Sequence, residues 1–395
     1  MPIKDLLILI FLSSLSYNLS GQNAMMQQAN SLMEQEKYEA AGVIYKELSR
    51  QYLLEKDSAN YLNASLQLAI SLDYMYESNQ AVKILKEAIE LSINSLGQDS
   101  LLALSYHKLA LIYYLSLEED ELAISNWQKA LKIRETIYPV NHRDIIKGYR
   151  NIGQSYLNLT EWEKGKTHFQ KSLDLNLNRK EVDSLLLVKA YNYLGWVYTN
   201  LEDFNKAEKY FDLAKEKYGR FYSEEPWELY ELYENISEFY RRRGVYSKVI
   251  ETQKEILSIF QDIEDKWEGD YLTIANIYNN LGLGYDLMDS LEIALQQFEK
   301  SLSINKKYVR KNEAALAINY SNLSRLYSKK EDFKKAFDFI DKAILLDKAI
   351  HNKIGLANNI SDKAIIYFKQ RKIEDALKTI ENAINLITLG SPKIS

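Results

Sequence analysis

From Tyr191 to Tyr218 the chain reads YNYLGWVYTNLEDFNKAEKYFDLAKEKY. Leu194, Val197 and Tyr198 fall three and four residues apart, and so do Ala207, Phe211, Ala214 and Tyr218. Lysines and glutamates fill the positions between the later set. A period of 3.6 with charge on the opposite face predicts two amphipathic helices joined by a turn. The chain holds no strand-like alternation of useful length.

The same spacing returns along the chain. With Leu194 as position 7 of a unit, Gly195 is position 8, Tyr198 is 11, Ala207 is 20, Phe211 is 24 and Ala214 is 27. YRNIGQSY places Tyr149, Ile152, Gly153 and Tyr156 in the same slots, followed by Gly165, Phe169 and Ser172. YNNLGLGY gives Tyr278, Leu281, Gly282 and Tyr285, then Ala294, Phe298 and Ser301. YSNLSRLY gives Tyr320, Leu323, Ser324 and Tyr327, then Ala336, Ile340 and Ala343. Weaker copies complete about nine units, starting near 22, 62, 103, 146, 188, 230, 275, 317 and 357, the third with one inserted residue near Glu118–Asp120.

Position 8 reads Ala29, Ala69, Ala110, Gly153, Gly195, Ser237, Gly282, Ser324 and Ala364. Two helices that approach closely there, A before B, exclude larger side chains, because overpacking costs about 1–3 kcal/mol. Positions 4, 7, 11 and 24 then fill the gaps with large groups. Thirteen of the 30 tyrosines sit at positions 4 and 11. They are expected to be core. Breakers such as LGQDS, YPVNHRD, FYSEEPWE and EDKWEGD fall between units, with Pro226 expected in a helix first turn.

Composition narrows the class. The 395 residues carry a net charge of -5 and no cysteine. There is no basic excess for nucleic acid, and no disulfide, thiolate nucleophile or zinc–cysteine site. Lys4 precedes an apolar run, Leu6 to Leu15, too short to span a membrane and ordered like an export signal. Residues 1–22 are therefore expected to be a signal peptide, cut between Ser20 and Ala24, and the mature chain to be exported, in the periplasm or at the cell surface, with no membrane span. Residues 23–389 form the array and 390–395 a tail.

The spacing aromatic-x2-Leu-Gly-x2-Tyr…Ala…Phe resembles the tetratricopeptide repeat family. The spacing of about 40–45 residues, and the stretch IYPVNHRDIIKGYRNIGQSY, resemble the roughly 42-residue variety of kinesin light chains and of bacterial proteins of similar build. The resemblance implies an all-α fold, an α-solenoid with right-handed superhelical winding. The proline that the shorter repeat carries at position 32 is absent, and the extra residues must lengthen helices or loops. An export signal before such repeats also resembles exported Bacteroidota proteins, in which arrays precede a CHAT-type peptidase or a histidine kinase. No such part lies within the sequence, which stops at LGSPKIS. The last helix still shows an apolar stripe, Ile373, Ala376, Leu377, Ile380, Ala383, Ile384 and Ile387. A partner, another copy of the chain, or an effector domain after residue 395 is expected to meet it.

By the family's geometry, positions 2, 5, 6, 9, 12 and 13 of helix A line a concave groove. Position 6 is Asn151, Asn235, Asn280 and Asn322. In such arrays this asparagine often hydrogen-bonds a bound peptide's backbone; a bond within the array is the alternative. Units three to five add His107, Lys108, Lys147, Arg150, Gln154, Lys189, Asn192 and Trp196. Unit six adds Glu231, Glu234, Glu238, Arg241 and Arg242; Asn279, Arg325 and Lys329 follow. The lining lacks the matched lysine–asparagine set of chaperone-tail clamps. The expected function is a non-catalytic scaffold that binds a peptide or partner protein in the groove; the alternative is the sensor part of a larger enzyme.

No chemistry competes. The four histidines share no metal spacing and are expected on the surface or in loops. Gly282 and Gly284 form a lone G-x-G with no preceding strand. No phosphate loop or nucleophile elbow occurs. No cofactor is expected. DSA at Asp57 and DSL at Asp99, Asp183 and Asp289 resemble a Bacteroidota O-glycosylation acceptor, but Asp and Ser also start helices well.

Overall fold

The computed structural model describes residues 21–97, 99–218, 226–263, 271–308 and 312–388. Residues 1–20 of the expected signal peptide 1–22, and residues 389–395, lie outside them. Residues 21–24, where the cut was expected, are the start of a helix in which Gln22 donates to Glu55 at 2.9 Å.

All regular structure among the described residues is helical. In chain order the helices are α1 (21–34), α2 (Tyr38–Leu54), α3 (Ser58–Tyr74), α4 (Ser78–Leu96), α5 (Ser100–Leu115), α6 (Asp120–Ile137), α7 (Arg143–Asn158), α8 (Trp162–Leu177) and α9 (Ser184–Asn200). Then come α10 (Phe204–Tyr218), α11 (Pro226–Arg242), α12 (Tyr246–Ile263), α13 (Tyr271–Leu287), α14 (Leu291–Tyr308), α15 (Glu313–Lys329), α16 (Phe333–Ala349), α17 (Lys353–Lys369) and α18 (Ile373–Thr388). The chain divides into two compact units, the first ending at Asp203 and the second opening at Phe204. Within each, successive helices pack as antiparallel hairpins stacked side by side. The fifth repeat is split by the division: its helix A, α9, ends the first unit and its helix B, α10, opens the second.

Each repeat turns from helix A to helix B through one geometry. Thr160 is left-handed (φ 57). Its N–H donates to Leu157 O at 2.9 Å, and the next N–H, of Glu161, donates to Tyr156 O at 2.8 Å. That pair of bonds is the Schellman closure of a helix end. The left-handed residue recurs at Glu36, Tyr76, Glu202, Gly244, Asp289, Glu331 and Arg371. In the third repeat the inserted residue is visible: Glu118 is left-handed, and the Glu119 N–H reaches back one residue further, to Tyr113 O. Glycine adopts this conformation at no steric cost, yet it appears in one of these turns.

The small residues do what their spacing implied. All nine position-8 residues are buried, as are all nine at position 20, Ala41 through Ala376. A Cβ on Gly282 would lie 2.6 Å from the ring of Phe298, at position 24 of the same hairpin; one on Gly153 would lie 2.8 Å from Phe169. Serines fit these slots because the facing backbone is within hydrogen-bond reach. Ser324 donates to Ala336 O (2.7 Å), Ser301 to Ala275 O (2.6 Å) and Ser172 to Ile146 O (3.1 Å). The extra residues of the long repeat lie in the helices: helix A begins three or four residues before position 1 in repeats two to nine, while the links at 55–57 and 350–352 are short.

The tyrosines are less deep than expected. Of the thirteen, Tyr106, Tyr113, Tyr233 and Tyr327 are buried and the other nine are half-buried. The phenol oxygen keeps the ring at the surface, and lysines cover its outer face. Position-26 lysines lie over position-4 rings in three repeats: Lys129 over Tyr106 (5.3 Å), Lys300 over Tyr278 (5.2 Å) and Lys342 over Tyr320 (5.9 Å). The aspartates of three acceptor-like motifs are N-caps: Asp57 accepts from Asn60 N, Asp99 from Leu101 N and Asp183 from Leu186 N. On α18, Ile373, Leu377 and Ile384 are about half exposed, whereas Ala376 and Ala383 are buried, so part of the last stripe is uncovered.

Two stability outcomes follow. Gly282→Ala is expected to cost about 1–3 kcal/mol, because its Cβ must displace a ring that is itself packed. Thr160→Gly is expected to gain about 0.5–1 kcal/mol, because a β-branched residue is strained at positive φ, less the entropy glycine loses. Urea denaturation reads both; an unchanged midpoint in the first would show that the ring can move aside.

Candidate functional site: the helix-A face of each unit

In the first unit the face is built from α5, α7 and α9. Lys147, Arg150, Gln154, Lys189 and Trp196 are half-buried on it, while Asn151 and Asn192 are buried. Arg150 donates to Asn151 Oδ1 through Nη2 (2.8 Å) and Nε (3.2 Å). Gln154 donates to the Tyr193 hydroxyl at 2.6 Å, which ties α7 to α9. These side chains are fixed before any ligand arrives, and that reduces the ordering cost of binding.

His107 departs from expectation. It lies in the middle of α5, half-buried, with a fully buried Nδ1 that has no hydrogen-bond partner. Burial first, and then the cations of Arg134, Lys108, Arg150 and Lys147, push its pKa down to about 3. A histidine on a helix in an array has this environment because position 5 faces the neighbouring helices A; spacing to other histidines carries no sign of it. His142 instead caps α7, accepting from Asp144 N at 3.3 Å, and its ring stacks on Tyr138. His351 is exposed, and His168 is half-buried on α8 against the rings of Tyr149 and Tyr156.

In the second unit the asparagines bond within the array. Asn280 donates to Glu234 Oε2 at 2.7 Å, and Asn322 donates to Asn279 Oδ1 at 2.7 Å. In both, position 6 of one repeat reaches position 5 of the repeat before it. Ser321 and Asp362 meet at the same two positions, at 3.4 Å. Asn322 is 6% exposed and also accepts from Arg325, so its amide is spent on stacking. Asn279 is likewise buried, in a network with Asn319, Ser301 and Asn305. A free peptide-binding amide is therefore not what Asn279, Asn280 and Asn322 present. Glu238 is held by Arg241 (2.5 Å) and Arg242 (2.9 Å) of its own helix. Asn235 is half-buried on the same helix. Lys329 pairs with Asp286 across repeats at 2.7 Å. Sequence reasoning missed Gln253, buried at position 24 where most repeats carry an aromatic or large aliphatic residue; it donates to Glu234 at 2.8 Å. That polar residue in a core slot was the available signal.

Among the described residues no group of three or more His, Asp or Glu could hold a metal ion, and no helix is long and apolar enough to cross a membrane.

Helical hairpins stacked through small residues at fixed positions define a solenoid. The tetratricopeptide repeat model matches residues 144–218 and 273–349, and over those segments the chain is made of tetratricopeptide repeats. Response regulator aspartate phosphatase E of Bacillus subtilis is 30% identical over 100 residues, 25% of this chain and 26% of that protein. The chain matches about a quarter of the length of its curated relatives. The apo quorum sensor NprR of B. thuringiensis superposes with a TM-score of 0.61 at 17% identity, over 95% of this chain and 100% of that one. A Rap protein complexed with Competence and Sporulation Factor gives 0.54 at 14% identity, over 94% and 98%. These two likenesses establish the all-helical repeat fold.

The buried His107 makes stability depend on pH. Its folded-state pKa is depressed, so the unfolded chain takes up the proton first. Stability present above about 6.5 is lost as pH falls toward 3. Below pH 6.5 the stability difference between wild type and His107→Gln is expected to shrink by about 1 kcal/mol per pH unit, carboxylate effects being common to both. Parallel curves from denaturation at pH 7.5 to 4.5 would show that His107 is protonated in the fold.

Proposed function

We propose that the chain is a non-catalytic scaffold that binds a peptide, or an extended segment of a partner protein, along the helix-A face. The observation that carries this is the pre-ordered polar face of the first unit. Arg150 is held to its neighbour Asn151 and Gln154 to Tyr193, and Lys147 and Trp196 lie on the same face. Apart from the Gln154–Tyr193 bond, which also ties α7 to α9, stacking uses the small and aromatic positions. A structural neighbour complexed with a named factor, and another named a quorum sensor, agree with ligand binding on such a fold. The apolar run Leu6–Leu15 supports export to the periplasm or cell surface. The half-exposed Ile373, Leu377 and Ile384 of α18 support a second reading, in which the array is the sensor part of a larger assembly that covers this face.

A photo-crosslinking residue at Trp196, compared with one at Lys132 on helix B of the third repeat, tests the scaffold. A partner is expected to crosslink from Trp196 and not from Lys132. The reverse pattern would place binding on the other face. Because one relative is named an aspartate phosphatase, acyl-phosphate hydrolysis is measured alongside. Turnover above the buffer rate would end the non-catalytic reading.

A further inference from the structure

Basic side chains from three helices lie around His107 in the first unit. His107 and Lys108 come from α5, Arg134 from the last turn of α6, and Lys147 and Arg150 from α7. Among the described residues neither Lys108 nor Lys147 enters an ion pair. The acids nearest Lys147 are Asp144 and Asp183, and Asp183 is taken by Arg143 at 2.7 Å. Arg134 is 6% exposed; Asp144 attracts it, and its Nη1 donates to the Asp144 carbonyl at 3.3 Å. The Nδ1 of His107 is buried and unpaired.

Like charges brought together and partly desolvated oppose folding. Arg134 joins α6 to α7 through the Asp144 carbonyl, but no bond of the stack uses Lys108 or Lys147. Position 5, which holds His107 and Arg150 here, carries Leu66, Asn192, Glu234, Asn279 and Ser321 elsewhere. A local arrangement that costs stability without serving the fold marks a site of use.

We propose that this cluster is a subsite for the side-chain carboxylates of an acidic internal segment of a partner protein. The inference deepens the scaffold reading and rests on it. Lys108, Lys147 and Arg150 supply charge-assisted donors. His107 stays neutral and adds no charge of its own to the cluster. The amides beside the cluster, Asn151 and Gln154, suit a peptide chain, which alternates donors and acceptors. A nucleic acid would call for cations repeated along the face at phosphate spacing, and the chain as a whole carries a net charge of -5.

The probe is a fluorescein-labelled peptide of alternating Glu and Ser, acetylated and amidated so that neither end is charged, read by anisotropy with the full chain. Its Gln/Ser analogue is the control. The Glu peptide is expected to bind at least tenfold tighter, to weaken between 50 and 200 mM salt, and to lose that preference in Lys108→Glu/Lys147→Glu. Lys132→Glu, on helix B, is expected to keep it, and circular dichroism of every variant checks that the helices persist. Equal binding of both peptides would overturn the carboxylate subsite and leave the scaffold reading standing. Binding only when the C-terminus is free would overturn it in favour of a terminal carboxylate. Stronger competition by inorganic phosphate than by acetate at equal ionic strength would overturn it in favour of a phosphate ligand. Failure of both peptides to bind would count against the subsite, and against the scaffold reading too if Trp196 also yields no crosslink.

Discussion

The contact between a glycine on helix A and a phenylalanine ring on helix B, Gly282 with Phe298 and Gly153 with Phe169, sets how closely the two helices of a hairpin lie. At that separation a serine hydroxyl reaches the facing backbone carbonyl, as Ser324 reaches Ala336, so polar and apolar small residues exchange in the same slots. The ring then fills the space left by the missing side chain. Within a unit, helix A of one repeat comes to rest near helix A of the next, as α3 with α5, α7 with α9, α13 with α15 and α15 with α17. The hydrogen bonds from position 6 back to position 5 depend on that placement.

What was legible in the sequence is what steric exclusion leaves legible. A slot that admits Gly, Ala or Ser and nothing larger shows itself through nine copies, and the helices follow from it. The turns did not show themselves, because eight non-glycine residues in the A-to-B turns, Glu36 to Arg371, hold the left-handed position at a cost the closing hydrogen bonds offset. The tyrosines were placed at the right positions and too deep, because position fixes which way a ring points and not how far its hydroxyl stays wet. Positions on the helix-A face were legible too. Their pairings were not: Asn322 and Asn279 lie 43 residues apart, and whether an amide meets a neighbour or a ligand depends on the residue one repeat away.

The two units use the same face differently. In the second, Asn280, Asn322 and Ser321 join repeat to repeat, and Glu238 is neutralised by its own helix. In the first, Gln154 makes a comparable link to Tyr193, but among the described residues neither Lys108 nor Lys147 enters an ion pair. The balance of bonds spent inside the array against charges left over separates a face that mainly holds the stack from one with capacity for a ligand.

The sixth repeat breaks the rule the others keep. Its position 24 is Gln253 rather than a ring or large aliphatic, and its positions 20 and 27 are the larger Val249 and Ile256. The volumes compensate: where the aromatic is lost, the alanine slots widen. The amide nitrogen of Gln253 is satisfied by Glu234, whose other oxygen accepts from Asn280 of the next repeat. Its carbonyl oxygen is buried without a donor. Burial raises the pKa of Glu234, the bonds from Gln253 and Asn280 oppose that rise, and Glu238 adds to it. One substitution in a core slot therefore connects the interior of a hairpin to the helix-A face, through a carboxyl that touches both. Where one repeat gives up the large apolar side chain that the others hold at position 24, the polar group that replaces it finds its partners across repeats, and there the stack and the face become one network.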